Sequence, residues 1–98
     1  PHVDPRRVGI WGSSYGGTLT VYSLFRKPGL FDAGVAGAPA VDPYAFGSDD
    51  VAIVRTPQEF PATFARGALQ WAPNLRDPLL VIHGLMDDVV PFRTTAAL

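Results

Sequence analysis

Three short apolar runs punctuate the chain, at residues 7–12, 33–38 and 79–84, and none alternates strictly between apolar and polar positions. Unbroken apolarity of this length is the pattern of strands covered on both faces, which belong to parallel sheets. After the first run, Leu19, Val21, Tyr22, Leu24 and Phe25 recur at helical spacing with no proline among them, and Lys27-Pro28-Gly29 closes the pattern. A helix over 14–26 is predicted. The second interval, 40–77, is longer and richer in proline and aromatic residues. Its helical parts are predicted at 57–66 and near 68–72, and another helix begins after Pro91. Strands alternating with crossovers indicate an α/β fold with three parallel strands joined by crossover helices. Neither an internal repeat nor a low-complexity tract is visible.

Composition narrows this further. The 98 residues carry a formal net charge of −1, with no basic run and no cysteine. A nucleic-acid surface or anionic-membrane patch would need clustered Lys and Arg, so neither is expected. Without cysteine there are no disulfides and no thiolate metal sites, although the compartment stays open. No apolar stretch approaches the roughly 18 residues of a membrane span. The length allows one domain at most. Pro1 is not an initiator, and Leu98 falls in the first turns of the helix after Pro91. Residues 1–98 are therefore expected to be a fragment of one domain, truncated at both ends.

The chemistry concentrates where the first run stops, at Gly12-Ser13-Ser14-Tyr15-Gly16-Gly17. A Gly-x-Ser-x-Gly between a strand and a helix presents its serine on a sharp elbow, where a base can reach the hydroxyl. Gly12 and Gly16 are expected to let the backbone turn and its neighbours close in around a strained Ser14. The alternative is a Gly/Ser-rich turn that binds phosphate, but the glycine spacing and Lys-Ser/Thr of phosphate loops are missing. Ser14 is the candidate nucleophile. The backbone N–H of Tyr15, at the helix start, is the candidate oxyanion donor.

Ligands of open parallel sheets sit beyond the carboxyl ends of the strands. Residues 13–17, 39–46 and 85–92 therefore share a rim, and the last of these carries Asp87-Asp88. Asp87 is the favoured orienting carboxylate, with Asp88 capping the loop or pairing with a cation; a solvated turn is the bland alternative. His83 ends the third strand and is read as a partly buried residue bonded to backbone rather than as the base. His2 lies at the far end of the sheet and is read as surface. In such folds the order is serine, carboxylate, histidine, so the base is expected after Asp87 and past Leu98. Tyr44 and Phe46 either wall a substrate pocket or are core aromatics. Trp11 and Trp71 are read as packing.

The ordered set Gly12-Ser13-Ser14-Tyr15-Gly16-Gly17, Ala36-Gly37-Ala38-Pro39 and Leu80-Val81-Ile82-His83-Gly84-Leu85-Met86-Asp87-Asp88-Val89-Val90-Pro91 resembles the catalytic domain of the prolyl oligopeptidase family of serine peptidases. The dipeptidyl peptidase branch is the nearest in character. The resemblance runs from about Val3 to Leu98. It implies an α/β-hydrolase fold, Ser14 as nucleophile, Tyr15 N–H in the oxyanion hole, Asp87 as triad carboxylate, a peptide substrate and no cofactor. Ser13 stands where dipeptidyl peptidases usually have tryptophan, and 42–54 lacks their tyrosine-rich run.

The leading expectation is serine-peptidase chemistry through an acyl-enzyme. Residues 1–98 alone are expected to be inactive, for want of the histidine. The same fold also serves esterases and other hydrolases of carboxylic esters, since fold and triad do not fix the leaving group. A non-catalytic hydrolase-like binding module is the third possibility, and it would have no histidine in the rim loop after Leu98.

Overall fold

The computed structural model describes residues 2–42, 58–59, 61–64 and 67–98. Each of the three apolar runs forms a strand: β1 (Gly9–Ser13), β2 (Ala33–Gly37) and β3 (Leu79–Ile82). They pair in the order β1-β2-β3, and both pairings are parallel. Ile10, Gly34 and Leu79 stand side by side in the register, as do Trp11, Val35 and Leu80.

The first crossover is α1 (Tyr15–Arg26), one residue shorter at its start than the sequence suggests because Ser14 takes a non-helical conformation. Its last turn closes with Lys27 N–H donating to the Ser23 carbonyl at 3.0 Å, and Gly29 supplies the left-handed φ of 80° that turns the chain away. Proline in between cannot continue the helix. In the second crossover the described helical pieces are Pro61–Phe64 and a 3-10 helix, Ala68–Asn74, which runs two residues further than 68–72. A last short helix, Arg93–Ala96, follows Pro91.

One face of the sheet carries the core. Val21, Leu24 and Phe25 of α1 lie with Ala36, Val41 and Ala68, and Ile10, Phe31, Trp71 and Leu79 pack around them. Burying side chains such as Phe25 and Leu24 contributes on the order of 1.5–3 kcal/mol each. The helix sits close because β2 offers only Gly34 and Ala36 to it; a Cβ on Gly34 would run into the Leu24 side chain. Trp71 packs as expected and also receives the Arg26 guanidinium over its ring, 4.4 Å from the centroid.

The opposite face is left open by the described residues. Trp11, Val35, Leu80 and Ile82 all point away from α1 and are exposed, with Trp11 80 % accessible. Within the described residues the strands are covered on one face, and Trp11 lies outside the core cluster. Apolar continuity along a strand fixes its distaste for water but not which face a given helix covers.

Candidate active site

The rim at the carboxyl ends of the strands is built by hydrogen bonds that continue the sheet past its last paired residues. Ser14 N–H donates to the Gly37 carbonyl at 2.8 Å, and Ala38 N–H donates to the Ile82 carbonyl at 2.8 Å. Both residues have positive φ, 56° at Ser14 and 41° at Ala38. Non-glycine residues in such conformations cost about 1–3 kcal/mol each and persist only where the surroundings hold them.

Ser14, with φ 56° and ψ −121°, forms the junction between β1 and α1. Its neighbours explain how that conformation is enforced. A Cβ at Gly12 would collide with the Gly16 backbone, and one at Gly17 would collide with the Gly37 carbonyl. Among the described residues nothing stands within 4 Å of the position of a Cβ on Gly16. Among the described residues the second glycine whose own Cβ would collide is therefore Gly17, because it is the first turn of α1 that presses against β2. The Ser14 side chain makes no capping hydrogen bond to that turn. The leading N–H groups of any helix lack intrahelical acceptors, so the Tyr15 amide stands at a positively polarised helix start beside Ser14.

After β3 the chain turns through residues 84–90. Asp87 Oδ1 accepts from Val89 N–H at 3.0 Å and from Val90 N–H at 2.8 Å, closing the turn on itself. It is thus Asp87 that caps this loop, the part expected of Asp88. Asp88 is exposed and has no hydrogen-bond or ion-pair partner among the described residues. The reason is directional: only Asp87 precedes two N–H groups that converge on one oxygen. The Val90 N–H above all holds the Asp87 carboxyl below the usual carboxylate range, with help from Val89 N–H and the nearby His83 against the opposing effect of burial. Asp87 is therefore ionised at neutral pH.

His83 is bonded as expected of a strand-end residue, and more fully. Its side chain is only 1 % accessible. Nε2 lies 2.8 Å from the Val90 carbonyl, and Nδ1 meets the Thr95 hydroxyl. With both ring nitrogens engaged, neither offers a free lone pair to Ser14. His2 is exposed. Tyr44 and Phe46, the candidate pocket walls, lie outside the described residues.

Two residues were not singled out in the sequence. Thr18 Oγ1 accepts from Ala40 N–H at 2.9 Å and reaches the carbonyls of Ala40 and Ser14 at 3.2 and 3.3 Å. Thr94, fully buried, donates to the Pro39 carbonyl at 3.1 Å. The loop after β2 is thereby tied to the serine elbow on one side and to the segment after Asp87 on the other. A threonine inside a helix carries no motif, and its bond to the carbonyl four residues back is commonplace. No local signal distinguishes the cross-loop bond.

A parallel sheet whose first strand turns sharply through a strained serine into a helix is the core of an α/β-hydrolase. A model of the prolyl oligopeptidase family matches residues 1–98, and the chain belongs to that family. The probable dipeptidyl-aminopeptidase B of Uncinocarpus reesii is 38 % identical over 102 aligned residues, which cover 100 % of this chain and 11 % of that protein. Among solved structures, dipeptidyl peptidase 4 of Porphyromonas gingivalis superposes with a TM-score of 0.89 at 39 % identity, covering 99 % of this chain and 14 % of that one. Acylaminoacyl peptidase of Pyrococcus horikoshii gives 0.82 at 30 %, over 96 % of this chain and 17 % of its own. The chain thus spans between about a tenth and a sixth of the length of these relatives. No helix among the described residues is long and apolar enough to cross a membrane.

Proposed function

We propose that this chain carries the nucleophile, the orienting carboxylate and one oxyanion donor of a serine peptidase. The observation that carries the reading is the backbone of Ser14, strained at φ 56° and ψ −121° between a parallel strand and a helix. Strain of that kind is a cost to folding, and presenting a hydroxyl for attack accounts for it. Ser14 Oγ attacks the scissile carbonyl of a peptide while an imidazole takes its proton. The Tyr15 N–H donates to the oxygen that becomes negative, a contribution of about 3–4 kcal/mol for one such donor elsewhere. Asp87, ionised and held by two amides, orients the imidazole and stabilises its charged form. The leaving amine receives that proton, an acyl-enzyme remains on Ser14, and water hydrolyses it.

The imidazole belongs to neither His2 nor His83 in this reading, and the family order of serine, carboxylate, histidine assigns it to a residue after Asp87. The open apolar face around Trp11 supports treating the chain as part of a larger catalytic domain. Relatives bearing dipeptidyl peptidase and acylaminoacyl peptidase names support a peptide substrate. In the full-length protein a fluorophosphonate probe is expected to label one serine, and Ser14→Ala to abolish the labelling. Labelling that survives the substitution overturns the assignment.

A further inference from the structure

Val90 is held through both of the peptide groups that flank its Cα. Its N–H donates to Asp87 Oδ1 at 2.8 Å, and its carbonyl lies 2.8 Å from His83 Nε2. A carbonyl oxygen only accepts, so Nε2 carries the proton. In the neutral ring Nδ1 then accepts from the Thr95 hydroxyl. The ring meets Phe92 edge to face, with centroids 5.7 Å apart, which fixes its plane as well as its two nitrogens. The second carboxylate oxygen, Asp87 Oδ2, is 3.5 Å from the same Nε2. That separation is too long for a good hydrogen bond but close enough for attraction.

We infer that His83 is a positioning residue for the Asp87 carboxylate, acting through Val90, whose carbonyl it holds. The inference rests on the reading of Asp87 as the triad carboxylate. The physical argument is one of linkage along a short loop. Asp87 reaches Val90 across only three residues, and both Asp87 amide partners lie within that loop. When the Val90 carbonyl is released, the Val90–Pro91 peptide no longer anchors the Val90 backbone, and the preceding peptide, whose N–H sets Oδ1, loses one of the constraints on its tilt. A misplacement of about 1 Å in a catalytic constellation costs on the order of 100-fold in rate. Substrate binding elsewhere on the rim is untouched, so the loss belongs in kcat.

The test is a double-mutant cycle in the full-length enzyme on a chromogenic peptide substrate. His83→Leu is expected to lower kcat by about 10- to 100-fold with KM within roughly threefold. In an Asp87→Asn background the same substitution is expected to cost no more than about twofold, because residues acting as one unit are not additive. Full additivity would make His83 a general structural residue and overturn the inference. A loss as complete as that of Ser14→Ala would make His83 the base and overturn it too. Thr95 provides a gentler route where His83→Leu does not fold. Thr95→Val, which removes the partner of Nδ1, is expected to reduce kcat by roughly 3- to 10-fold, with Thr95→Ser restoring it. A folded Thr95→Val enzyme with unchanged kcat overturns the inference. Failure of the underlying reading looks different: there Asp87→Asn itself leaves kcat unchanged.

Discussion

The serine elbow and the Asp87 loop stand on the same rim and are held by different physics. At the elbow, geometry is enforced by exclusion: Gly12 and Gly17 leave room for backbone where any side chain would collide, and Ser14 is driven into a strained conformation. At the loop, geometry is enforced by attraction: one carboxylate gathers two amides, and a buried imidazole holds the carbonyl between them and the last helix. At Gly12 and Gly17 the elbow should consequently tolerate no added atom, whereas the loop should tolerate atoms but not a change of charge or donor. A nucleophile needs exposure at a fixed point, which sterics supply. A carboxylate needs to stay ionised and aimed, which hydrogen bonds supply.

The strongest test of that contrast is at the carboxylate. Asp87→Asn keeps the shape of the loop but loses the charge, and on the proposed role kcat of the full-length enzyme is expected to fall by about 10³–10⁴-fold, as at triad carboxylates elsewhere. Asp88→Asn is expected to stay within a fewfold. The reverse ranking, read from steady-state kinetics, would show that the capping carboxylate is not the catalytic one.

At the elbow the expected loss is in stability. Gly12→Ala and Gly17→Ala each force a methyl into backbone that cannot move aside, and should each cost about 2–3 kcal/mol in urea unfolding, the usual range for overpacking. Gly16→Ala should be neutral or stabilising by up to roughly 1 kcal/mol, since alanine favours helix and the space is open. Equal losses at all three glycines would break the steric account.

The smallest effect concerns pH. The Asp87 carboxyl is held below its ordinary range in the folded protein, so the unfolded chain binds its proton more readily. The stabilisation it gives is present above the ordinary carboxylate range and fades as pH falls through the folded value. Asp87→Asn should flatten the acid limb of a plot of stability against pH. An unaltered acid limb would remove Asp87 from the hydrogen-bonded account of the loop.

What the sequence revealed follows the same division. Steric and periodic features were legible: three strands, the helix after Ser14, its end at Lys27-Pro28-Gly29 and the elbow itself all have local signatures. Strand ends differ by one or two residues; β3 stops at Ile82 because its partner strand leaves the extended conformation at Ala38, with φ 41°. Features made by long-range partners were not legible. Nothing near Trp11 reveals which face α1 covers, and nothing beside Thr18 or Thr94 reveals that their hydroxyls meet the loop after β2. The close contact at Gly17 has no local signal for the same reason, since the collision there is with Gly37, twenty residues along the chain. The loop-capping part went to Asp88 when the two amides that decide it converge on Asp87.

The two bonds that prolong the sheet beyond its strands, from Ser14 to Gly37 and from Ala38 to Ile82, give these residues an unusual clock. Amides in turns and loops ordinarily trade their protons with solvent quickly, through small local openings. Here the protons of Ser14 and Ala38 are bound into the sheet's own ladder, so their release waits on the parting of the strands. In hydrogen–deuterium exchange they should keep time with Gly34 and Ala36 at the centre of the sheet, and the peptide unit of the proposed nucleophile would be among the slowest in the chain to forget its hydrogen.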